Sequence, residues 1–165
     1  MDLQSIIVTA ITVIVGILYY VVTTQNKKKR DAILLQPLHE LAQQGNYKIS
    51  THNLWNKSAI GMDEEKQFVF FTRQTPNATV ALQINIFEFK HCRVNTADRA
   101  VARGKETMKV IDRIELLLQP KEGSKNDTVL EFYNSDYDSL TIQHELEIAE
   151  KWSTIINNLI LTSSK

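Results

Sequence analysis

The feature that most constrains this chain is the run Leu3 to Val22, LQSIIVTAITVIVGILYYVV, which carries no charge. A helix rises about 1.5 Å per residue, so a run of this length matches the roughly 30 Å hydrocarbon core of a bilayer and predicts one transmembrane helix. A cleaved leader would open on basic residues and close on small ones. Here Asp2 opens the stretch and Tyr19, Tyr20, Val21 and Val22 close it, so the expectation is an uncleaved anchor. Lys27, Lys28, Lys29 and Arg30 follow, and basic residues beside a span stay on the cytoplasmic side. The expected location is therefore the plasma or inner membrane, single-pass, with the amino terminus outside and the rest cytoplasmic. Ser5, Thr9, Thr12 and Gly16 share one helical stripe with Tyr19 and Thr23, a candidate interface for a homodimer or a partner helix. The four basic residues are candidate contacts to anionic lipid, at about 1 kcal/mol each.

The chain divides on this reading into an anchor (1–25), a basic juxtamembrane segment with a short helix (26–46) and one sheet-plus-helix domain (47–165). Four of the 19 basic residues sit in the juxtamembrane run, which leaves the remainder mildly acidic. That balance counts against nucleic acid as a partner, because phosphate backbones require a broad positive field. Cys92 is the only cysteine, so no internal disulfide is possible, in keeping with a reducing compartment.

Leu34, Leu38 and Leu41 recur at helical spacing before Gly45, with Pro37 expected to kink the helix or start a new one. From Trp55 to Tyr133 short apolar or alternating runs are separated by turn residues, the pattern of an antiparallel sheet. Phe68 to Phe71 is apolar on both faces and turns at Thr75-Pro76-Asn77 into Val80, Leu82, Ile84 and Ile86. Phe87 to Val94 predicts a further strand, Met108 to Leu118 a longer one ending at Pro120, and Val129 to Tyr133 a return after a turn at 123–127. After Asp136 the period becomes 3.6. Leu146, Ala149, Trp152, Ile156 and Leu159 form the apolar face of a closing helix, Trp152 at its centre, with Glu145, Glu147, Glu150 and Lys151 opposite or beside it.

No reaction centre emerges from the motifs. His144-Glu145 opens like a zinc-protease helix, but Ile148 stands where the second histidine belongs. His91 and Cys92 are neighbours on a predicted strand and point to opposite faces. Asp63, Glu64, Glu65, Asp136 and Asp138 lie in predicted turns, where carboxylates face water. Neither metal nor cofactor is expected. A basic connection remains at Arg99, Arg103, Lys105 and Lys109, a second candidate for lipid contact.

Three segments carry a family likeness: Ala59-Ile60-Gly61-Met62-Asp63-Glu64-Glu65-Lys66 before Phe68-Val69-Phe70-Phe71, then Ile86-Phe87-Glu88-Phe89-Lys90-His91-Cys92-Arg93-Val94, then Ala149-Glu150-Lys151-Trp152. Over roughly residues 55–161 their order resembles the pleckstrin-homology-like domains of bacterial membrane proteins. The resemblance implies an α+β fold: after the transmembrane helix, a curled antiparallel sheet of about six to seven strands capped by a C-terminal amphipathic helix. It implies lipid readers, peptide readers or scaffolds rather than enzymes. Lipid-reading members place several Lys and Arg in the first hairpin turn, where this chain has Arg73 before Gln74-Thr75-Pro76. The leading expectation is a membrane-tethered, non-enzymatic interaction or scaffold domain with a protein partner. The alternatives are an anionic-lipid headgroup sensor and an enzyme of unfamiliar design.

Overall fold

In a computed structural model the described residues are 2–103, 106–121, 127–139 and 141–163, with side chains described except at 3–11, 27, 102, 103, 106 and 163. Helix α1 runs from Leu3 to Gln44 without interruption, Pro37 included. The expected break at Pro37 is absent because the turns around it are packed: Leu38 and Ala42 are buried beneath the sheet, and such packing outweighs one lost helical hydrogen bond. The N–H groups of Gly45 and Tyr47 both donate to the Ala42 carbonyl. Asn46, not Gly45, takes the left-handed conformation that ends the helix (φ 54).

Among the described residues no helix is long and apolar enough to cross a membrane. Beyond its apolar start α1 continues through Lys27 to Arg30 as far as Gln44 in one helix. The single-pass span over Leu3 to Val22, its outside amino terminus and its placement in the plasma or inner membrane are corrected accordingly. The side chains of Ser5 and Thr9 lie outside the described residues.

Among the described residues seven strands form two antiparallel sheets, which replaces the single curled sheet expected. The first contains β1 (Thr51–Trp55), β2 (Ser58–Asp63), β3 (Phe68–Gln74) and β4 (Thr79–Asn85) in that spatial order; the second contains β5 (Phe89–Arg103), β6 (Glu106–Pro120) and β7 (Thr128–Asn134). The separation arises at Ile86–Glu88, a short 3-10 turn whose Phe87 N–H donates to the Asn85 side chain. It redirects the chain between β4 and β5, so the expected strand begins at Phe89 and pairs with β6. The expected turn at 123–127 falls outside the described residues up to 126.

The main core lies between the sheets and under helix α2 (Glu145–Ser163). Trp55, Phe71 and Ile84 meet Leu116, Leu130 and Phe132 there, and Trp152 is fully buried as the plug the periodicity predicted. Trp55 stacks on Phe132 at 4.5 Å and donates its Nε1–H to the Phe132 carbonyl at 2.9 Å. On the other face of the first sheet, Leu38 and Ala42 of α1 cover Ala59 and Phe70. Two covered faces explain why β2 is buried at every position and why β3 reads as an unbroken apolar run.

Helix α2 also caps the outer edge of β5 at Cys92. The Cys92 N–H donates to Asn157 Oδ1 (2.9 Å), and the Cys92 carbonyl accepts from Asn157 Nδ2 (2.7 Å) and Ser153 Oγ (3.1 Å). Side chains thus stand in for a missing strand.

Gly61 sets how closely α1 approaches β2. A Cβ there would lie 2.9 Å from Leu38 Cδ2, 3.0 Å from Ile49 Cγ2 and 3.2 Å from the Thr51 carbonyl oxygen. Gly61→Val is expected to lower stability by about 1–3 kcal/mol through overpacking, read as a lower urea midpoint with an unchanged slope. An unchanged midpoint would show that α1 does not pack on this face.

Candidate functional site

A concavity follows the outer edge of β1, with a cavity volume of about 1070 Å³. Its floor is Asn53, Leu54, Trp55 and Asn56; one wall is Thr23, Asn26, Arg30, Asp31 and Leu34 of α1; the other is Gln143 and His144 with Glu145, Glu147, Ile148 and Lys151 of α2. The groove exists because α1 lies on one face of the first sheet and α2 approaches from the opposite side. Each helix overhangs the edge strand without covering it.

Local chemistry holds the floor in place. Asn56 makes the tight turn into β2 with φ 44, a conformation that asparagine tolerates better than most residues. Its Nδ2 donates to Glu145 Oε1 at 2.6 Å. The other carboxylate oxygen of Glu145 accepts from the Gln143 N–H (2.7 Å) and the His144 N–H (3.0 Å). Glu145 is therefore buried, 2 % exposed, although the helical pattern put it among the polar residues opposite or beside the apolar face. Its three donors are uncharged. Asn53 Oδ1 accepts from Trp152 Nε1 (3.1 Å) and Lys151 Nζ (3.0 Å), which ties the floor to the core plug. On the rim, His144 Nδ1 lies 3.4 Å from Glu147 Oε2, both side chains exposed.

The residues singled out by sequence are distributed differently. Arg30 and Asp31 line the groove, Lys28 and Lys29 are exposed, and the Lys27 side chain is outside the described set. Thr12 and Gly16 lie on an exposed stretch of α1, and a Cβ at Gly16 would meet nothing within 4 Å. The expected basic connection is the far part of the β5–β6 hairpin. There Arg99 Nε lies 3.0 Å from Asp112 Oδ1 and Lys109 Nζ 2.9 Å from Asp98 Oδ2. Lys105 and the side chain of Arg103 lie outside the described residues.

Arg73 is not in an exposed turn but 2 % exposed between the sheets. Its Nη1 donates to the Phe132 carbonyl (3.0 Å) and Ser58 Oγ (3.2 Å), and Nη2 to Asp138 Oδ2 (2.5 Å). Nε is 3.3 Å from Glu131 Oε1 yet is not aligned for a hydrogen bond, so that contact is an ion pair only. Tyr137 caps the guanidinium and donates its hydroxyl to Glu131. Asp63 is likewise no water-facing turn residue. Burial pushes its carboxyl up, but N–H bonds from Lys48 and Lys66 and the Lys66 charge outweigh this and hold it below the usual 3.8. Among the described residues no group of three or more His, Cys, Asp or Glu side chains is arranged to hold a metal ion.

Glu145 is the residue that sequence reasoning placed least well, and it joins the β1–β2 turn to the start of α2. Glu145→Ala is expected to orphan the Asn56 amide and the N–H groups of Gln143 and His144, lowering stability by about 1–3 kcal/mol. Denaturant titration, with helical circular dichroism retained, checks this; an unchanged midpoint contradicts it.

Comparison with protein families finds no family model that matches this chain, and comparisons with curated proteins and with solved structures find no match either.

Proposed function

We propose that this chain is a non-enzymatic interaction domain that receives a protein partner in the groove along β1. The observation that carries the reading is the groove itself: an open trough with Leu34, Leu54, Trp55 and Ile148 among polar rim residues, built on a rigid frame. Its floor polar groups are already held in place. Glu145 is held by three donors, Asn53 Oδ1 by two, and the Trp55 N–H by a carbonyl. What they offer a ligand is shape and hydrogen-bonding edge rather than a poised acid, base or nucleophile.

The chain's one thiol fits the same reading. Cys92 is buried in the core, and burial raises its pKa to about 12 despite a lowering hydrogen bond from Ser153, so it stays protonated at neutral pH. The lipid-sensor alternative has less support at the β5–β6 hairpin, where Arg99 and Lys109 are paired with Asp112 and Asp98.

A photo-crosslinking residue at Gln143, exposed on the groove wall, is expected to give a discrete covalent adduct with one partner protein in cells expressing the full chain. The same residue at Val129, exposed on β7, is expected to give none. Equal labelling at both positions, or reproducible substrate turnover by the purified protein, would overturn the reading.

A further inference from the structure

The hydrogen-bonding pattern of β1 narrows what the groove takes. β1 and β2 are joined by the two-residue turn Asn56-Lys57, closed by Trp55 opposite Ser58. The closing pair of such a turn exchanges backbone hydrogen bonds, and bonded and non-bonded pairs then alternate along the ladder. Asn53 opposite Ile60 is the next bonded pair. Leu54 opposite Ala59 and His52 opposite Gly61 are non-bonded pairs, so their N–H and C=O groups point away from β2. β1 is the outermost strand of its sheet; the groove lies along its Asn53–Trp55 part, and the exposed His52 continues the same edge beyond it.

A row of unpaired backbone donors and acceptors is a template for another strand. The contrast with β5 is informative, since there Asn157 and Ser153 occupy the equivalent groups. β1 spans Thr51 to Trp55, at about 3.3 Å per residue some 17 Å, enough for a short extended segment.

The walls indicate its charge. Three carboxylates, Asp31, Glu145 and Glu147, line the groove with two cations, Arg30 and Lys151, and the Lys151 ammonium is already turned onto Asn53. Glu145 is nearly buried with uncharged donors alone, so a cation brought beside it forms a charge-assisted hydrogen bond in a poorly hydrated place. Building on the interaction reading above, we infer that the groove takes an extended, basic peptide segment of a partner protein. The segment pairs with β1 as a fifth strand of the first sheet and sets a Lys or Arg side chain against Glu145, with Asp31 and Glu147 beside it.

The test uses the full chain and two pools of capped heptapeptides, random except for a central Lys in one and a central Glu in the other. Binding is read from the backbone amide resonances of β1. The lysine pool is expected to shift the His52 and Leu54 amides and to bind about tenfold more tightly than the glutamate pool. His52→Pro removes an outward N–H from an exposed edge position without removing a ladder bond, and Glu147→Lys reverses a charge on the wall. Each is expected to weaken binding about tenfold while the melting temperature stays close to that of the parent. Equal binding of the two pools, or binding indifferent to both variants, overturns the inference and leaves the interaction reading standing if the Gln143 adduct still forms. Failure of both pools to bind while the adduct captures a folded partner surface or a second copy also overturns it. Failure of both pools together with no adduct overturns the two readings at once.

Discussion

The rest of this structure depends on one constraint: the inner strands of the first sheet, β2 and β3, are buried on both faces. Phe70 and Ala59 look toward α1, while Phe71 and Ile60 look toward the second sheet and α2. A sheet in that position has only its edges left to meet solvent, and the chain treats its edges unequally. The outer edge of β5 in the second sheet is occupied at Cys92 by Asn157 and Ser153 of α2. The outer edge of β1 is flanked by both helices and covered by neither, which is why a groove of about 1070 Å³ opens there.

Two long-range ties keep that arrangement from sliding. Trp55, at the end of β1, is stacked on Phe132 and bonded to its carbonyl, and Arg73 reaches the same carbonyl from β3. One carbonyl of β7 therefore anchors the two sheets together. A buried guanidinium is costly to desolvate, and Asp138, Glu131 and the Tyr137 ring offset that cost. At the other end, Asn53 joins β1 to Trp152 and Glu145 joins the β1–β2 turn to the start of α2. The floor of the groove is thus fixed by the same residues that hold the core, so a partner would meet a preformed edge.

Much of the framework was legible in the sequence because it rests on local period. The alternation after Trp55, the doubly apolar Phe68 to Phe71 and the 3.6 spacing around Trp152 are each written within about a dozen neighbouring residues. What escaped was set by distant partners. Glu145 sits on the polar pattern of its helix, yet it is buried by Asn56, 89 residues earlier. Arg73 belongs to a hairpin turn by sequence and to an inter-sheet ion pair through Asp138, 65 residues later. Pro37 breaks a helix by propensity, but the packing of Leu38 and Ala42 decides otherwise. The transmembrane expectation rested on length and apolarity, and α1 proved to be one continuous helix whose later turns pack on the sheet.

The central claim is that β1 presents an unpaired edge to the groove, and residue-resolved amide exchange on the free protein tests it most directly. The amides of Asn53 and Trp55, bonded to β2, should be slowed toward the limit set by global unfolding, whereas those of His52 and Leu54 should exchange far faster. Protection that alternates along β1 in this way is the predicted result. Equal protection of all four amides would mean that the edge is already covered, and would contradict the account.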